Sequence, residues 1–124
     1  MNSQEAYTAV YQVIRQYQAE TGNDDIAKML LDIEPWPYTD EKGVERFGSA
    51  DPAAFEDEWT DAWNAVIGLG QTGTGTQVVV VANRLLKYYS DNLGYNFEGL
   101  AVALRHNLKN GSISEVMSRS LIAL

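Results

Sequence analysis

The sequence contains no cysteine and a single histidine, His106, in 124 residues. The first absence excludes disulfides, thiolate zinc sites, iron–sulfur clusters and thiol nucleophiles, and it suits a reducing compartment. The second excludes a multi-histidine metal centre. Proline is scarce as well, with only Pro35, Pro37 and Pro52. No apolar run reaches the roughly 18 to 20 residues of a membrane-spanning helix, so no membrane partner is expected. The opening stretch MNSQEAYTAV has neither the basic region nor the apolar region of a signal peptide, and a cytoplasmic location is the expectation. Basic residues are few: 9 Lys and Arg against 17 Asp and Glu, for a net charge of −8. A basic footprint for phosphate backbones is therefore missing, and direct nucleic-acid binding is not expected.

The acidic excess is one-sided. Residues 1–66 hold 14 acids and 4 bases, whereas residues 67–124 hold 3 acids and 5 bases. Such asymmetry within one domain predicts a one-sided negative field, which attracts a basic partner and speeds encounter with it. The plainer alternative is a solvated acidic face.

The apolar spacing reads as helices throughout. Ala6, Tyr7, Val10, Val13, Ile14 and Tyr17 lie on one stripe of a helix over 3–21. Asn2 and Glu5 have capping-box spacing at its start, and Gly22 suits its end. A second, short helix capped by Asp24 carries Ile26, Met29, Leu30 and Ile33. Glu34-Pro35-Trp36-Pro37-Tyr38 breaks the pattern, because each proline disfavours helix in the residue before it. Residues 39–50 read as a loop or a short hairpin. Asp51-Pro52 is a strong helix start, followed by a stripe of Phe55, Trp59, Ala62, Trp63, Val66 and Ile67. A Gly/Thr loop over 68–76 leads to Thr76 as the expected cap of a helix through Val78, Ala82, Leu85 and Tyr89. Asn92-Leu93-Gly94 ends that helix. Asn96 is the expected cap of a fifth helix with Phe97, Leu100, Ala101, Leu104 and Leu108 inward. Ser112 and Glu115 then repeat the capping-box spacing before Val116, Met117, Leu121 and Leu124. The expected fold is all-α: one domain over 1–124, a bundle of five to six helices. It comprises an acidic half (1–66), the Gly/Thr loop (68–76) and a near-neutral half (77–124). One internal echo stands out. Val13-Ile14-Arg15 with Tyr17 and Gly22 matches Leu85-Leu86-Lys87 with Tyr89 and Gly94 at a constant offset.

Few residues offer chemistry. Gly68-Leu69-Gly70-Gln71-Thr72-Gly73 satisfies the dinucleotide-binding string, but that site needs a preceding strand, and residues 55–67 have helical spacing instead. An interhelical connector is the expectation. Glu58 and Asp61 share a helical face, as one half of the magnesium site of an all-α nucleotide pyrophosphohydrolase would. No second carboxylate pair is evident, and acids at a helix start are favoured there by the macrodipole alone. His106 has no nucleophile or acid in a triad context. No catalytic, cofactor-binding or metal residue is therefore assigned, and no cofactor is expected. Trp36 and Tyr38 differ from the other aromatics, since they lie between prolines in a polar segment, outside any helical stripe. They read either as a plug over the core or as exposed anchors, and Trp and Tyr are enriched among interface hot spots.

Two stretches carry a resemblance. They are Glu5-Ala6-Tyr7 through Thr21-Gly22-Asn23-Asp24-Asp25-Ile26 with Leu30, and Ala50-Asp51-Pro52-Ala53-Ala54-Phe55-Glu56-Asp57 through Ala62-Trp63. Over residues 5–66 the chain resembles small acidic all-helical immunity proteins of bacterial contact-dependent inhibition and polymorphic toxin systems. The resemblance implies a non-catalytic, stoichiometric inhibitor whose partner is a basic toxin or nuclease domain. From the residues themselves, the expected contact surface is Trp36, Tyr38, Asp40, Glu41 and Glu45, with Asp24, Asp25, Glu56 and Asp57 as steering charges. Two other classes stay open: the magnesium-dependent nucleotide hydrolase, and a helical scaffold whose apolar content of 45% covers a homodimer face.

Overall fold

The computed structural model describes residues 1–97 and 99–110. The chain folds as α1 (Ser3–Thr21), α2 (Asp24–Ile33), a hairpin of β1 (Tyr38–Thr39) and β2 (Glu45–Arg46), a π-helical segment (Ala54–Trp59), α3 (Thr60–Val66), α4 (Gly75–Leu93) and α5 (Leu100–Arg105). A second π-helical segment, His106–Asn110, continues α5. The architecture is all-α apart from the small antiparallel hairpin, in which Tyr38 faces Arg46 and Thr39 faces Glu45. The helix proposed after Ser112 lies outside the described residues.

The helix ends follow local chemistry. Asn2 Oδ1 accepts from the Glu5 N–H at 2.8 Å while Glu5 Oε1 accepts from the Asn2 N–H at 3.1 Å, closing the expected capping box. Three expected caps move. Asn23, not Asp24, caps α2, with its Oδ1 accepting from the Ile26 N–H at 3.0 Å. That leaves Asp24 and Asp25 in the first turn, where the positive helix end favours them. Thr74, not Thr76, starts α4 and forms a capping box with Gln77. Asn96 caps nothing. Gly99 precedes α5 in the left-handed conformation (φ 82°), packed so closely on the Tyr17 hydroxyl that a Cβ there would force that side chain to shift. The later start turns Ala101 to solvent and leaves Leu100, Leu104 and Leu108 buried.

The echo between α1 and α4 extends along both helices. Each has 19 residues, opens on a capping box and ends at a left-handed glycine, Gly22 or Gly94. The buried positions also correspond: Ala6 with Val78, Tyr7 with Val79, Ala9 with Val81, Val10 with Ala82, Val13 with Leu85 and Ile14 with Leu86. The same stripe is thus used twice to face one shared core.

The helix that begins at Pro52 departs from the expected spacing. Asp51 Oδ1 accepts from the Ala53 N–H at 3.2 Å, as an N-terminal acid should. The chain then widens into the π-helical segment, marked by the Thr60 N–H reaching the Phe55 carbonyl five residues back, to which Thr60 Oγ1 also donates at 2.7 Å. The wider turn puts Ala54 and Trp59 on one buried line and leaves Phe55 half-buried. Beyond it Ala62 and Trp63 resume the predicted stripe.

Tyr7 is the point where these elements meet. Its ring packs edge-on against Phe47 of the hairpin, Phe55 and Trp59, at centroid distances of 6.0, 5.0 and 5.2 Å. Its hydroxyl donates to the Ile33 carbonyl at the end of α2, at 2.6 Å. Burial pushes the phenol far above its ordinary pKa, so it remains a donor at any physiological pH. Tyr7→Phe keeps the ring and strands the Ile33 carbonyl. It is expected to cost about 1 to 3 kcal/mol in urea unfolding, with the loss centred on the end of α2 and the hairpin in amide exchange.

Candidate protein-binding surface

The hairpin is longer than its two paired strands. From its root outward, the Asp51 N–H donates to the Asp32 carbonyl, Ala50 N–H to Glu34, Trp36 N–H to Gly48 and Asp40 N–H to Val44. Side chains alternate along such a ribbon. Phe47 therefore turns inward to Tyr7 and Phe55, at 6.0 and 4.8 Å between centroids. Ser49 also turns inward, accepting from the Phe55 N–H at 3.0 Å and donating to the Asp51 carbonyl. The opposite face carries Trp36, Tyr38 and Asp40 on one arm and Val44, Arg46 and Gly48 on the other.

That outer face is open, with large apolar side chains beside the Asp40–Arg46 ion pair. Trp36 is 57% exposed, Tyr38 44% and Val44 47%. Trp36 and Tyr38 thus stand exposed and do not plug the core, where Phe47 packs instead. Gly48 is what lets Tyr38 lie flat on the ribbon, because a Cβ there would stand 3.2 Å from Tyr38 Cε1. The Tyr38 hydroxyl donates to Glu56 Oε1 at 3.3 Å, which joins the hairpin to the π-helical segment. Val44 carried no signal in the sequence, because a lone valine in a charged loop has no periodicity to place it.

The acidic residues divide into three roles. Asp40 is spent on the turn: it accepts from the Lys42 and Val44 N–H groups and from Arg46 Nε, each at 2.9 Å. Those bonds hold its carboxyl below the ordinary range, and Arg46 neutralises its charge locally. Glu41, Glu45 and Asp57 are exposed and free to act through their field, as is Glu56 beside Tyr38. Asp24 and Asp25 lie at the start of α2, one helix length (roughly 15 Å) from the hairpin at its end. Asp25 is committed there, accepting from the Asn96 N–H at 2.9 Å. The structure brings Trp36, Tyr38 and Asp40 onto one ribbon face with Glu56 bonded to Tyr38, puts Glu41 at the turn, gives Glu45 the parity of Phe47 on the reverse face, leaves Asp57 exposed next to Glu56 in the π-helical segment, and sets Asp24 and Asp25 apart from them.

The remaining chemical candidates are structural in their geometry. The glycine string from Gly68 to Gly73 follows a helix, and Gly73 exchanges backbone hydrogen bonds with Met1, at 2.8 and 3.2 Å. A strand-to-helix phosphate turn is not formed. Glu58 is half-buried and Asp61 exposed on the helix they share. Among the described residues no three His, Cys, Asp or Glu side chains converge as metal ligands. His106 is exposed at the end of α5.

The lowered Asp40 pKa sets a pH dependence at the hairpin tip. The ionised carboxylate stabilises the folded turn above the ordinary carboxylate pKa. That contribution is lost as pH falls through the depressed folded value. The Lys42 and Val44 amide resonances should thus move together in an acid titration, with a midpoint below the ordinary carboxylate range. An Asp40→Asn variant should already show the acid form at neutral pH. Comparison with protein-family models, characterised proteins and solved structures finds no match, so the reading of this surface rests on its own residues.

Proposed function

We propose that the protein is a non-catalytic inhibitor that binds a basic protein partner one to one, as an immunity protein neutralises its cognate toxin or nuclease. The observation that carries this reading is the outer face of the hairpin. Trp36, Tyr38 and Val44 stand exposed on one ribbon face, with Glu56 bonded to Tyr38, Glu41 at the turn and Glu45 exposed on the reverse face. Large exposed aromatics with charge at their border match the layout of a binding surface, with anchors at the centre and charges at the rim, and Arg46 on the same face is paired with Asp40. The anchors limit dissociation, and the field raises the rate of encounter with a basic surface.

The geometry also suits rapid binding. The ribbon is held at its root by backbone bonds to Asp32 and Glu34 and at its tip by Asp40, so little order has to be gained on association. A toxin that acts while free demands such speed from its inhibitor.

The test is co-expression with toxin domains encoded beside this chain, followed by kinetics on any complex recovered. A one-to-one complex is expected. Its association rate should fall steeply with salt and drop about tenfold or more when Glu41, Glu45 and Asp57 are changed to lysine. Trp36→Ala should leave association nearly unchanged and cost about 2 kcal/mol or more through faster dissociation. Recovery of the chain only with copies of itself would favour the scaffold reading. A complex indifferent to salt and to Trp36 would overturn the assigned surface.

A further inference from the structure

The glycine string that forms no phosphate turn makes one wall of a cleft. The cleft lies between the first turn of α1, α3 and the loop over 68–73, and its volume is about 310 Å³, at the small end of the range for binding sites. Its walls are already in place. Gly73 exchanges backbone hydrogen bonds with Met1. A Cβ on Gly73 would stand 3.3 Å from Trp63 Cη2 and 2.5 Å from Ile67 Cδ1, so the loop packs directly on the preceding helix. No charged side chain among the described residues lines the cleft, although the chain carries a net charge of −8. Carboxamides line it instead: Asn2, Gln4, Asn64 and Gln71. Asn2 Oδ1 is spent on the Glu5 N–H, which leaves its amino group as a donor. The Asn64 and Gln71 side chains are exposed and make no hydrogen bond among the described residues. Trp63 reaches the same cleft. It is 2% exposed, and its indole N–H has no hydrogen-bond partner among the described residues. The unpartnered side-chain atoms shut off from solvent there are Asn83 Oδ1 and the Tyr89 hydroxyl, and Trp63 Nε1 is not one of them. The N–H therefore meets solvent where the ring borders the cleft. Trp59, by contrast, gives its N–H to Ser3 Oγ at 3.0 Å. A buried indole normally pairs its N–H, so Trp63 is an open donor in a preformed cleft.

We propose that this cleft binds an uncharged, extended peptide segment of the protein partner, with the Trp63 indole N–H donating to one of its main-chain carbonyls. The chemistry of the lining selects that class. Without a basic side chain it has no counter-charge for a phosphate or carboxylate ligand, and without an acid it has none for a cation. Trp63 offers an edge and not a face, because its ring is stacked on Trp59 and covered by Gly73. A sugar or a base therefore has no platform to stack on. A carboxamide carries a donor and an acceptor side by side, as a peptide group does, so each can pair with the main chain both ways. Leu69, 81% exposed at the rim, gives the segment's side chains an apolar contact. The position suits the reading of the ligand as a protein partner, on which the proposal rests. Gln4 lines both this cleft and the one between α1 and the hairpin, where Tyr38 and Phe47 lie. A segment leaving Tyr38 thus passes over Gln4 to reach Trp63.

The test uses the full chain with a neutral main-chain probe, N-acetyl-alanyl-alanine N-methylamide, and follows the tryptophan indole N–H resonances by NMR. A saturable shift is expected for Trp63, with Trp59 and Trp36 moving far less. Combining Asn64→Ala with Gln71→Ala should weaken the probe by about tenfold, the order of two lost hydrogen bonds. Both side chains are exposed, so the melting temperature should hold, which separates lost binding from lost fold. No saturable Trp63 shift, or an equal shift at Trp36, would overturn the cleft as a site. An equal response to acetate would assign it to anions, and a response to methyl glucoside at about tenfold lower concentration would assign it to carbohydrate. Either result overturns the peptide class. A Trp36-dependent complex indifferent to Asn64 and Gln71 sinks the cleft alone. A seated probe with no Trp36-dependent complex sinks the partner reading instead.

Discussion

The Tyr7 side chain is the constraint on which the other elements depend. It lies on the stripe of α1, yet it serves three segments far away in sequence. Its hydroxyl ends α2 by taking the Ile33 carbonyl, and its ring receives Phe47 from the hairpin and Phe55 and Trp59 from the π-helical segment. A two-stranded ribbon this short is marginal in water by itself. It is ordered here because Phe47 and Ser49 are drawn into the core beside Tyr7. Fixing the inner face of the ribbon fixes the outer face as well, since successive side chains point opposite ways. The exposure of Trp36, Tyr38 and Val44 is thus a consequence of what Tyr7 buries.

The π-helical segment has a similar double effect. Widening the helix by one residue per turn lets Trp59 reach the core and donate from Nε1 to Ser3 Oγ at 3.0 Å. The same widening sets Glu56 against Tyr38, while the segment packs on α4 and α2. Local irregularities of this kind cost hydrogen-bond quality and are often found where side chains must be aimed. Here it aims the Glu56 carboxylate at the ribbon.

Charge counting along the chain locates the acidic half but does not sort its members. Asp40 and Asp25 look like free charges in the sequence. In the fold, one is the acceptor for a turn and the other ties α2 to the segment before α5. Asp32 and Asp51 lie in different segments of the sequence, and they meet only because the Asp51 N–H bonds the Asp32 carbonyl. The caps show the same limit at short range. Asn23 and Thr74 won over Asp24 and Thr76 because a cap is chosen by backbone geometry and its partner three residues on, and several neighbouring residues had suitable oxygens.

What the sequence determined by itself was everything with a period or a punctuation mark. The helical stripes of α1 and α4, their glycine ends, the break at Pro35-Trp36-Pro37 and the absence of any thiol or multi-histidine chemistry are all legible in order of residues. These depend on neighbours within a turn or two, which the sequence states directly. What only the tertiary structure decided was orientation. Which face of the hairpin is wet, which acids are free and which are spent, and where the π-helical turn falls all depend on partners tens of residues away. Tyr7, through its contacts with Ile33, Phe47, Phe55 and Trp59, supplies those partners, because a buried ring and a buried hydroxyl must both be satisfied at one point.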